Sequence, residues 1–103
     1  MRTTFFQELV EAIHDLPYAT GIYTDMSRWP GDPITTPLHL ATREEEDEED
    51  FDDQLEANGL RELFRRTTLE DIVDVERRKR LNCTLEDLVA AAKHYRHYDD
   101  FRP

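Results

Sequence analysis

Ten carboxylates fall between Glu44 and Glu56: Glu44, Glu45, Glu46, Asp47, Glu48, Glu49, Asp50, Asp52, Asp53 and Glu56. Read as a helix, this stretch rises about 20 Å, so its charges come at roughly one per 2 Å, close to the ~1.7 Å per phosphate of duplex DNA. Carboxylates this crowded in a polar segment are hydrated and ionised, whereas general acid catalysis needs a carboxyl buried enough to keep its proton near neutrality. The chemistry on offer is therefore attraction of cations, and a groove lined by Lys and Arg for nucleic acid would meet a phosphate-like charge density here. Repulsion is the cost. Six acid pairs lie at i,i+4 and seven at i,i+3, which at a few tenths of a kcal/mol each reaches about 3 to 6 kcal/mol. Order in this segment thus calls for neutralising cations, from a partner or from the chain's own Arg77-Arg78-Lys79-Arg80.

The remaining reactive residue types are thinly spread. Ser27 is the sole serine, Cys83 the sole cysteine, and there is no G-x-S-x-G, phosphate-binding glycine loop, H-E-x-x-H or C-x-x-C. Catalytic residues are accordingly expected to be none, and the protein is read as non-enzymatic. His94 and His97 stand at i,i+3, with Cys83 and His14 elsewhere, but a structural zinc site needs four converging ligands and only one close pair is visible. No metal and no cofactor is implied. Arg77 to Arg80 precede a helix-turn-helix-like spacing around Leu81 to Thr84, the opposite reading of direct nucleic-acid binding. Asp71, Asp74, Glu76, Glu86 and Asp87 flank that patch and weigh against it. Tyr18, Tyr23, Met26, Arg28 and Trp29 are residue types enriched at binding hot spots. Trp29 has two readings, an exposed contact or a cap on the core beneath its loop.

Charge divides the chain. Met1 to Gly59 carries 3 Arg against 15 Asp or Glu, net -12, while Leu60 to Pro103 carries 10 basic against 9 acidic residues, net +1, within a total of -11. Such a field repels nucleic acid and anionic lipid and steers cationic surfaces inward. No stretch approaches the ~18 apolar residues of a membrane helix, and the N-terminal residues lack the pattern of a signal peptide. With one cysteine no internal disulfide can form, so the cytoplasm is the expected compartment.

The elements that must carry these residues read as mainly α: a single acidic helical domain over 1–103, a bundle of four to five helices, with room for a short β-hairpin in the 20–40 region. Thr4 is placed to cap a first helix with Phe5, Phe6, Leu9, Val10, Ile13 and Leu16 at helical spacing, stopped by Pro17. A long Pro-rich loop follows at 17–37, in which Gly21 to Asp25 and Ile34 to Leu40 have strand propensity. Thr42 and Glu45 have capping-box spacing, and Asn58-Gly59 suits a helix end, so the acidic segment at 43–57 reads as one helix. Leu60, Leu63 and Phe64 suggest a short helix. The phrase Thr-Leu-Glu-Asp then opens two more, at Thr68 and Thr84, with Leu69, Ile72, Val73 and Leu81 as buried residues of the first and Leu85, Leu88, Val89, Ala92 and Tyr95 of the second.

These features predict a non-enzymatic, protein-binding inhibitor of the nucleic-acid-mimic type, whose partner is a basic protein surface of a nucleic-acid-handling complex. The ten carboxylates are its expected contacts, with Tyr23, Arg28 and Trp29 adding apolar anchoring. Direct nucleic-acid binding and membrane association are not expected, and a homodimer stays open. In composition the chain resembles the small acidic inhibitors that phages and plasmids use against nucleic-acid-targeting defence systems, including anti-CRISPR and anti-restriction proteins. The alternative is a helical adaptor or assembly subunit that binds through an apolar helix face.

Overall fold

Two short segments whose side chains alternate between faces build the middle of the molecule. The computed structural model describes every residue from Met1 to Pro103. Strands β1 (Arg2–Thr4), β2 (Gly21–Thr24), β3 (Leu38–Ala41) and β4 (Arg61–Arg65) form one sheet in the order β1-β3-β2-β4, and every neighbouring pair is antiparallel. The hairpin β2–β3 is central and the other two strands are its edges.

One face of this sheet presents Ile22, Leu38, Leu40, Leu63 and Phe64 to the main core. Onto it pack α1 (Phe6–Ala12), α4 (Arg66–Lys79) and α5 (Leu85–Tyr98). They contribute Phe6, Leu9 and Val10, then Leu69, Ile72 and Val73, then Leu88, Ala91 and Ala92, and Ile13 joins from the short 3-10 turn Ile13–Asp15. Burial on this scale is the main favourable force in folding. Both Leu63 and Phe64 reach the core because a bulge interrupts the β2–β4 ladder: Ile22 pairs with Phe64 and Tyr23 with Glu62, leaving Leu63 as the extra residue. The opposite sheet face carries Gly21, Tyr23, Ala41 and Arg65, and α2 (Arg43–Glu46) and α3 (Phe51–Ala57) bring the acidic segment to it.

The expected mainly α bundle is therefore wrong: the fold is a mixed α/β one, with a four-stranded sheet at its centre. The strand pair anticipated in the 20–40 region exists as β2 and β3, the latter beginning only at Leu38. Strand β1 falls where Thr4 was expected to cap a helix; Phe5 takes the cap position without a side-chain bond. Strand β4 replaces the short helix expected at Leu60 to Phe64, since pairing with β2 satisfies its backbone and the bulge buries both apolar residues. Helix α4 begins at Arg66, so Thr68 lies within it and caps nothing. Leu81, expected in the core, is 98% exposed. The acidic segment forms two helices and not one, separated by a turn over Asp47 to Asp50. That break removes most of the anticipated repulsion: within a single helix only Asp52/Glu56 and Asp53/Glu56 keep i,i+4 and i,i+3 spacing.

Candidate functional site

The acidic segment is held by its first turn and by one apolar anchor. Thr42 caps α2 as its spacing predicts. The Glu45 amide donates to Thr42 Oγ1 at 3.1 Å, and the Thr42 amide donates to Glu45 Oε1 at 3.1 Å. One turn on, Glu46 points inward against the sheet, where Arg65 Nη2 donates to its Oε1 at 2.9 Å and Arg65 Nη1 and the Tyr23 hydroxyl donate to its Oε2. The guanidinium also donates to the Ala19 carbonyl at 2.9 Å. The fork geometry of Arg suits such a two-oxygen grip. Arg65 holds the Glu46 carboxyl below the usual carboxylate range, and the Tyr23 hydroxyl helps. Burial, followed by the Glu46 carboxylate, pushes the Tyr23 phenol up.

Phe51 fixes the second helix. It is buried against Tyr23, with ring centroids 5.4 Å apart at 77°, and with Ala41, Leu55 and Leu60 it makes a small second core on this sheet face. The segment then ends as Asn58-Gly59 predicts. Gly59 has φ +65°, and the Leu60 and Gly59 amides donate to the Leu55 and Glu56 carbonyls at 2.9 and 3.2 Å. This is a Schellman motif closed by the Leu55 and Leu60 side chains.

Everything else in the segment faces water. Glu44, Asp47, Glu48, Glu49, Asp50, Asp52, Asp53 and Glu56 are exposed and none is ion-paired; Glu45 pairs with the Met1 amino group at 2.7 Å. The run Arg77 to Arg80 does not reach them. Arg80, just past the end of α4, bonds the Glu76 carboxylate, Arg78 Nε donates to the Asp74 carbonyl at 3.3 Å, and Lys79 donates to the Arg102 carbonyl. Glu76 is itself 1% exposed and also accepts from Arg102 Nε at 3.0 Å, while Arg102 reaches Asp87 at 3.3 Å. First Arg102 and then Arg80 hold the Glu76 carboxyl below its ordinary range.

Of the three anchoring residues read from the sequence, only Arg28 is exposed. Tyr23 is buried under the acidic segment and serves as part of its footing. Trp29 is 1% exposed and belongs to the main core, the second of its two readings. Sequence reasoning missed Arg65 and Gly21. Arg65 had no signal beyond being one of several arginines. Gly21 left only the hint of a glycine opening a strand, which can mark a close approach. His94 Nδ1 donates to the Asp100 carbonyl at 3.1 Å, and no three His, Cys, Asp or Glu side chains converge to hold a metal ion. Burial, then the Asp87 and Glu76 carboxylates, push the Cys83 thiol up, away from the thiolate form a nucleophile needs. No helix is long and apolar enough to cross a membrane.

Fold and site together define a small mixed α/β protein whose sheet carries three helices on one face and a clamped, outward-facing acidic segment on the other. The chain belongs to the family described as a domain of unknown function (DUF7716), whose model matches residues 4–102. No curated protein and no solved structure matches it.

Proposed function

We propose that this protein is a non-catalytic inhibitor that binds the basic, nucleic-acid-binding surface of a partner protein through the acidic face of α2, α3 and the turn between them. One observation carries the reading: eight of the ten carboxylates are exposed and unpaired, and the chain's own basic run forms an ion pair with none of them. Their charge stays available to an outside cation. Because the segment is clamped through Glu46 and Phe51, the partner meets an ordered surface and little ordering entropy is lost on binding. Long-range attraction would speed association. We take the encounter to occur in the cytoplasm, a compartment that suits a chain with a single free cysteine.

The adaptor reading finds less support, because Leu69, Ile72, Val73, Leu88, Ala91 and Ala92 of α4 and α5 are packed in the core, which leaves Tyr98 as the one large apolar side chain of these helices that is exposed. The test is capture of partners from a lysate at low and at high salt. Capture of a nucleic-acid-handling protein that is lost at high salt, and whose nucleic-acid binding this protein competes away, is the expected result. Capture indifferent to salt, or a partner that keeps its nucleic acid, rejects the proposal.

A further inference from the structure

On the other side of β4 the charge reverses. Lys93, Arg96 and His97 stand at i, i+3 and i+4 on α5, which puts them on one helix face. Arg61, the first residue of β4, meets them there, and with Met26, Trp29 and Pro30 from the loop between β2 and β3 they line a cavity of about 460 Å³. None of these four basic residues forms an ion pair, although the chain holds 24 acidic residues against 13 Lys and Arg. Nine of the 13 Lys and Arg form no ion pair, and three of the nine, Arg61, Lys93 and Arg96, gather around this one concavity. Trp29 lies behind this wall: it is 1% exposed, and its indole Nε1–H is buried without an acceptor. A buried donor left unsatisfied costs about 1 to 3 kcal/mol.

We propose that this cavity binds a small phosphate ester of mononucleotide size. Two guanidinium groups and an ammonium suit phosphate oxygens, while Met26 and Pro30 offer an apolar wall to a flat organic group. The volume lies within the range of small-molecule sites. A polymeric nucleic acid is a poorer occupant, because its extended charge would meet the repulsion of a chain of net charge -11, whereas a compact anion needs only the short-range contacts of the cavity. The neighbouring cavity shares Met26 and Arg61 but is lined by Asp25 and Glu56, which leaves this one as the anion's side. The inference is independent of the acidic face.

Isothermal titration calorimetry of the full chain with AMP, pyrophosphate and adenosine tests it, with the indole Nε1–H resonance of the single tryptophan followed by NMR. AMP should bind saturably and more tightly than either fragment, and should shift the indole signal. Lys93→Ala with Arg96→Ala should weaken AMP at least about tenfold. Arg61→Ala, on a different element, should weaken it as well, and Glu48→Gln should leave it unchanged. Circular dichroism would establish that each variant is folded. Absence of saturable AMP binding up to ~1 mM, or equal affinity in the wild type and the variants, overturns the site. Pyrophosphate binding as tightly as AMP overturns the part assigned to the apolar wall.

Discussion

Glu46 occupies the space that a side chain on Gly21 would need: a Cβ built on Gly21 would come within 2.5 Å of Glu46 Oε2 and 2.8 Å of Arg65 Nη1. The bare backbone at Gly21 is what lets the carboxylate and its guanidinium partner lie flat on the sheet. Gly21→Ala should therefore break the clamp and cost about 1 to 3 kcal/mol. Urea unfolding of Gly21→Ala, Glu46→Gln and the double variant checks this. Both substitutions disrupt one contact, so the double variant should fall well short of the sum. Full additivity would mean that the glycine and the clamp are unrelated.

Phe51 is the apolar half of the same footing. Phe51→Ala should cost about 3 kcal/mol and free α3 while leaving the main core in place, because its contacts are confined to the small second cluster. Hydrogen exchange would read this as faster exchange of the amides of residues 51–60, with those of α4 and α5 little changed.

Charge reversal separates the surface from the fold. Glu48, Glu49, Asp52 and Asp53 are all exposed and make no ion pair. Changing the four to Lys should abolish partner capture and keep the circular dichroism of the wild type. A variant that loses its secondary structure would show that these acids support the fold.

Acid should undo the protein through two carboxylates. Glu46 and Glu76 both have folded pKa values below the ordinary value of 4.5. Their stabilisation is fully present above that value, where both are ionised in either state. It is lost as pH falls through the lower folded values, because the unfolded chain then binds protons more readily. Thermal melts should therefore show Tm falling below about pH 4.5 and a shallower fall in Glu76→Gln. That variant should also lose about 3 kcal/mol at neutral pH, since it weakens the hold on Arg80 and Arg102.

What the sequence disclosed and what it hid follow from the range of the forces involved. The Thr42 and Thr84 capping boxes and the stop at Asn58-Gly59 involve residues within about one helical turn, and all three appear as read. Helix α1 buries Phe6, Leu9 and Val10 as expected, but Phe5 is its 39% exposed cap and Ile13 and Leu16 lie beyond its end. Strands β1 and β4, at three and five residues, are too short to show a period, and they exist because β3 and β2 supply their hydrogen bonds. Helix α4 likewise starts where β4 ends, two residues ahead of its best local cap, so tertiary pairing overrode local preference. The acids of the candidate face were plain in the sequence. Which of them turns inward was not, because Arg65 lies 19 residues from Glu46 and meets it only across the finished sheet.

The extra residue at Leu63 has a mechanical consequence for the whole C-terminal half. With five residues laddered in strict alternation, Arg65 would turn toward the core; the slip at Leu63 returns it to the side of Glu46. Arg66 then opens α4 with no loop between, so nothing takes up slack. One residue gained or lost elsewhere in this strand would be passed straight on, as a displacement of about 3.3 Å and a reversal of facing. This is the place along the chain where length, more than residue identity, is under constraint.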